Sequence, residues 1–94
     1  MEENYYIVRT DRAGVFFGRI KEKKENSIIM TDVRKIHYWE GAAAVEQISQ
    51  DGVNESKSRL TIAISEMELD RWIQILPCSE RAIVSLKNCK EWKM

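Results

Sequence analysis

The run Ile28-Ile29-Met30-Thr31-Asp32-Val33-Arg34-Lys35-Ile36-His37-Tyr38-Trp39-Glu40-Gly41-Ala42-Ala43 decides how the chain folds. Its opening is apolar and β-branched, which predicts a strand over 27–33 that is covered on both faces. A polar kink follows at 32–35. Ile36-His37-Tyr38-Trp39 then continues as a short further segment of the same strand. Gly41 releases the chain into a helix over about 42–51. Three alanines favour helix there, with Ala44, Val45 and Ile48 on one face and Asp51-Gly52 as the stop.

Upstream, Tyr5-Tyr6-Ile7-Val8-Arg9-Thr10 reads as a first strand and Val15-Phe16-Phe17-Gly18-Arg19-Ile20 as its return. The turn between them, Asp11-Arg12-Ala13-Gly14, has a glycine available for positive φ. Gly18, inside a strand, marks a bulge, a bend or a close backbone approach. Lys21-Glu22-Lys23-Lys24-Glu25-Asn26 is charged and forms the solvated tip of the next hairpin. Downstream, residues 53–57 are a polar loop and the most dispensable part of the chain. Residues 58–65 alternate with period two, placing Leu60, Ile62 and Ile64 on one face of a strand. Glu66-Met67-Glu68-Leu69-Asp70 reads as a turn or a single helical turn, and residues 71–76 as a last strand closed by Pro77. Ser79 caps a final helix over about 80–88, with Glu80 in its first turn and Ala82, Ile83 and Leu86 inward. Residues 89–94 form a polar tail.

The predicted fold is therefore mainly β with two helices, in the order β-β-β-α-β-β-α. Consecutive antiparallel strands that bend at glycines close into small barrels that hide their edges. An SH3-like or Sm-like barrel fits this pattern; the alternative is an open antiparallel α+β sheet with both helices on one face.

The 94 residues allow one domain, 1–94, with a modest core. At 44% hydrophobic and 32% charged, the composition is that of a globular protein. The acidic opening Met1-Glu2-Glu3-Asn4 is the reverse of a signal peptide, and no apolar run reaches the ~20 residues that span a bilayer. A cytoplasmic location is expected. Fifteen basic residues balance fifteen acidic ones, less basic than a duplex-DNA binder would be. Between 40 and 70 the only cations are Lys57 and Arg59. Cys78 and Cys89 are expected to be reduced, partly buried thiols. With His37 they fall short of the roughly four ligands that a structural zinc needs. No metal and no cofactor is implied.

Arg9-Thr10, Ala13-Gly14-Val15, Gly18, Arg34-Lys35-Ile36, Tyr38-Trp39 and Gly41-Ala42, followed by Ile75-Leu76-Pro77, Ser79-Glu80 and Ala82, form an ordered pattern over residues 6–87. The pattern resembles a family of small, uncharacterised proteins of tailed bacteriophages and prophages, with His37 standing where an aromatic such as Trp is expected. The resemblance implies a small oligomeric binder in the cytoplasm of a bacterial host, acting against host defence by sequestering a nucleotide signal or blocking a protein.

Arg34, Lys35, His37, Tyr38 and Trp39 mix cations with rings, a combination that suits a nucleotide, with guanidinium on phosphate and ring on base. The plainer reading has Ile36, Tyr38 and Trp39 plugging a barrel end while Arg34 and Lys35 are solvated. The turn with Arg12, Ala13 and Gly14, next to Arg9, either presents backbone N–H groups to an anion or is simply a hairpin turn. The candidate ligand set is thus Arg9, Arg12, Ala13, Gly14, Arg34, Tyr38 and Trp39. His37 without a sequence partner reads as structural. Trp92, in the polar tail, docks on a neighbouring subunit or back on its own chain; with Phe16 it is the candidate homo-oligomer interface. No nucleophile with its base, tuned carboxylate pair or metal site is discernible, which points to a non-catalytic role. Two further readings are an Sm-like binder of single-stranded RNA and a protein-directed inhibitor of a host enzyme.

Overall fold

The computed structural model describes residues 4–94; Met1, Glu2 and Glu3 of the acidic opening lie outside the described residues. Six antiparallel strands and two helices follow the chain as β1 (Tyr6–Thr10), β2 (Val15–Lys23), β3 (Ser27–Tyr38), α1 (Val45–Asp51), β4 (Arg59–Leu60), β5 (Ile64–Asp70), β6 (Trp72–Pro77) and α2 (Glu80–Asn88). Hydrogen-bonded neighbours run β4-β3-β2-β1-β6, and β5 pairs the first part of β3 while β4 pairs its end.

The 12-residue β3 is the spine, as its sequence predicts, and it bends where expected. Asp32 takes φ 48°, and the pairing with β2 slips between Phe17 and Arg19, which face Arg34 and Thr31. One extra residue on β3 makes this a bulge. Gly18 is opposite, and a Cβ there would meet the Val33 Cα at 2.8 Å and the Asp32 and Thr31 carbonyl oxygens at 3.0 Å. The glycine is thus required by a close approach of β2 to the bulge.

Alternation along β1 and β2 sends side chains to two cores. Ile7, Phe17, Ile36 and Leu60 pack against Val45 and Ile48 of α1 and Leu86 of α2. Val8, Phe16, Ile28, Met30, Val33 and Leu69 fill the other face. The outer strands β5 and β6 are separated in sequence by Arg71 alone, yet one pairs β3 and the other β1. The two edges of the sheet therefore meet at a corner, and the sheet curls around the second core. Among the described residues no strand pairing joins β5 to β6, so the sheet is not closed into a barrel.

Three sequence expectations are corrected. Residues 58–65 are not one strand: pairing stops after Leu60, and Ile62, expected inward, is 39% exposed. The Thr61 N–H still donates to the Lys35 carbonyl (3.0 Å), but the regular ladder ends there, because the Thr61 carbonyl accepts from Arg34 Nε and its hydroxyl oxygen from the Lys35 N–H. Residues 66–70 are no turn but belong to β5, where Met67 and Leu69 face inward between exposed acids; that alternation was masked by the density of charge. Finally, α1 begins at Val45 rather than Ala42, and it buries Ser49 with Val45 and Ile48 while Ala44 is exposed. The Trp39 indole N–H donates to the Ala42 carbonyl and holds that segment off the helix axis. By contrast α2 starts as expected, the Ser79 hydroxyl oxygen accepting from the Ala82 N–H, with Ser85 joining Ala82 and Leu86 inside. No described helix is long and apolar enough to cross a membrane.

Candidate functional site

The curl separates the residues that sequence reasoning grouped. Arg9 Nη1 donates to the Gln74 side-chain oxygen (3.0 Å), and Gln74 donates to Glu46 (3.1 Å), so Arg9 ties β1 to β6 and α1. That second bond also holds the Glu46 carboxyl below its ordinary range. Arg12 is exposed beside Asp11. Ala13 and Gly14 form a self-contained turn: Gly14, at φ 117°, donates its N–H to the Thr10 hydroxyl oxygen (2.8 Å), and that hydroxyl donates back to the Gly14 carbonyl. This turn spends on itself the glycine N–H that an anion site would use. Phe16 is 4% exposed within its own core, so the interface role expected of it is replaced by packing.

Arg34, expected to be solvated if it met no ligand, is instead buried, and it also lines a cavity of about 320 Å³ with Asp32, Lys87 and Glu91. Its side chain is 7% exposed and directs its donors to backbone carbonyls, with Nε to Thr61 (2.8 Å), Nη1 to Leu86 (2.7 Å) and Nη2 to Cys89 (2.9 Å). Longer Nη2 contacts reach Leu60 and Lys90. The Leu86 carbonyl lies in the last turn of α2, Cys89 is its C-cap and Lys90 begins the tail, so the guanidinium caps the negative pole of that helix and straps the tail to β4. Burial lowers the Arg34 pKa from its ordinary value, opposed by the nearby Cys89, Glu91 and Asp32. Beside it, the Tyr5 hydroxyl donates to the Asp32 carboxylate, and the Tyr5 ring stacks on Phe17 at 5.0 Å. Cys78 and Cys89 are both free thiols, and burial pushes Cys78 up to about 12.

The strapped tail builds a surface that no single stretch of sequence displays. The Trp92 N–H donates to the Leu60 carbonyl (2.8 Å), and Glu91 bridges Leu60 in parallel, so the tail runs along the free edge of β4. The Trp92 ring stacks on His37, centroids 4.3 Å apart and planes at 17°. Arg59 on β4 holds its guanidinium carbon 5.8 Å from the Trp92 centroid and 5.8 Å from the Tyr38 centroid. A slip in the β3–β4 pairing, in which Ile36 faces Leu60 but Tyr38 faces Arg59, leaves His37 as the extra residue. Such a bulge re-aims side chains, here setting His37 against Trp92 and Tyr38 against Arg59. Tyr38 is 44% exposed and Trp92 43%.

On the Tyr38 side, the surface sinks into a groove of about 470 Å³ lined by Tyr38, Glu40, Ser56, Lys57, Ser58 and Arg59. The Tyr38 hydroxyl donates to Glu40 (2.5 Å), and that bond first of all raises its pKa above the ordinary phenol value. Trp39, by contrast, packs half-buried against the helical core. Of the expected ligand residues, then, only Tyr38 reaches this groove. Arg59, Lys57 and the serines were missed because 53–57 read as expendable loop and Arg59 as one face of a strand. A signal was present: Lys57 and Arg59 are the only cations between residues 40 and 70, and both line the groove.

Fold and groove together define a small, mainly β protein with two helices and an exposed cluster of rings around one guanidinium. The chain belongs to the domain of unknown function DUF6948, which matches residues 3–86. No curated protein and no solved structure matches it.

Proposed function

We propose that this protein is a non-catalytic binding module that takes a small anionic, nucleotide-like ligand in the groove lined by Tyr38 and Arg59, beside the exposed Trp92 ring. One observation carries the reading: two rings, each more than 40% exposed, flank a guanidinium beside a groove. Exposed aromatic surface around a cation is the arrangement that stacks a base and neutralises its phosphate. Lys57 adds a second positive charge, and Ser56 and Ser58 add hydroxyls suited to phosphate or sugar oxygens.

We read the curled sheet as an SH3-like barrel left open between β5 and β6. The sequence resemblance to small phage and prophage proteins supports a homo-oligomer in the cytoplasm of a bacterial host, where holding a nucleotide signal would blunt a defence. Titration calorimetry against a panel of linear and cyclic nucleotides tests the reading. Binding that Arg59→Ala weakens at least tenfold supports it, and no heat from any nucleotide removes it.

A further inference from the structure

From the pairing of Tyr38 and Trp92 across Arg59 we infer that the site takes two bases joined by one phosphodiester, a dinucleotide unit, and that the C-terminal tail supplies half of it. The inference rests on the nucleotide reading above and specifies what that reading leaves open.

A single base needs one platform, and here there are two. Both ring centroids lie 5.8 Å from the same guanidinium carbon, which bounds their separation to no more than twice that length. Both rings share that one cation, so two rings and a guanidinium match two bases and the phosphate that joins them. An arginine fork suits a diester, whose two free oxygens it can hold together. Both centroids fall within the ~6 Å reach of a cation–π contact, so Arg59 faces both rings. Glu40, fixed by the Tyr38 hydroxyl, makes the far end of the groove unfavourable for a further phosphate and offers an acceptor to the exocyclic amine of a base.

The second platform exists only because the tail is docked. Trp92 lies beyond the family-matched residues 3–86 and is placed by its N–H bond to Leu60, by stacking on His37, and by Arg34 holding the Cys89 and Lys90 carbonyls. Arg34 is thus a positioning residue for the site. The Tyr38 platform, in contrast, is carried by β3 and needs no tail.

The test is fluorescence or calorimetric titration of the full chain with a nucleoside monophosphate, a linear dinucleotide and a six-residue single strand of the same base. A second stacked base should make the dinucleotide bind roughly fivefold to a hundredfold more tightly than the mononucleotide. Trp92→Ala should abolish that gain, bringing dinucleotide affinity down to that of the mononucleotide, with circular dichroism confirming the fold. Equal affinities of mononucleotide and dinucleotide in the parent protein overturn this inference and leave the nucleotide reading standing. Binding of none of the three removes both. The six-residue strand separates the sources of the unit: affinity equal to the dinucleotide assigns a free dinucleotide, and a tenfold gain assigns a strand.

Discussion

Replacing Arg34 with methionine should be among the most destabilising single changes in this chain. Methionine keeps much of the buried stem and its packing while deleting every donor. Three carbonyl oxygens, those of Thr61, Leu86 and Cys89, lose charge-assisted bonds of 2.7–2.9 Å. Each such bond is worth about 1.5–3 kcal/mol. Water can reach part of the freed surface, so the loss should resemble that of one broken buried charge contact, about 3–5 kcal/mol, rather than the full sum. A chain of 94 residues has roughly 5–14 kcal/mol in hand at about 0.05–0.15 kcal/mol per residue. The substitution thus removes about a fifth or more, and the melting temperature should fall by at least about 12 °C, at about 4–8 °C per kcal/mol. Urea unfolding followed by circular dichroism measures the difference by linear extrapolation. Arg34→Lys keeps the charge but not the fork, and should lose roughly half as much. A loss below about 1 kcal/mol for Arg34→Met, with the urea slope unchanged, would refute the strap.

Three further outcomes follow from local geometry. Gly18→Ala drives a Cβ into the backbone of Thr31, Asp32 and Val33, and should cost about 1–3 kcal/mol in the same urea assay, where a neutral result contradicts the close approach. Arg71 holds φ 58° at the corner, and among the described residues its side chain makes exposed pairs of 3.8–3.9 Å. Arg71→Gly should therefore be neutral or stabilising by up to about 1 kcal/mol, and a loss above 1 kcal/mol would mean that the side chain matters. Burial raises the Cys78 thiol to about 12 in the fold from an ordinary 9.0. Its neutral form is thus favoured by the native state, and stability should be fully present below pH 9 and decline toward pH 12. In Cys78→Ala that alkaline decline should be smaller, and an identical decline in both proteins argues against a buried thiol.

Much of this architecture is legible in the residues. The strand with its kink at Asp32, the hairpin glycines and the Ser79 cap are local signals, and local chemistry decides them. Acidic β5 was misread because three exposed carboxylates hide an inward Met67 and Leu69. The site was harder still, because its parts come from β3, β4 and the tail and meet only after Arg34 has strapped that tail down. A basic residue in an apolar strand reads as a solvated ligand-binder, whereas its partners here are carbonyls, which every residue possesses and no sequence pattern can flag. Of the candidate ligand residues Tyr38 lines the groove, while Arg9, Arg12 and Gly14 make their contacts elsewhere in the fold.

The most direct test is amide chemical-shift mapping of the isotope-labelled protein during titration with a dinucleotide. Shifts should gather at Tyr38, at residues 56–59 and at Glu91 and Trp92. Shifts centred instead on residues 9–14, or none anywhere at millimolar ligand, would contradict the assignment of this face as the binding site.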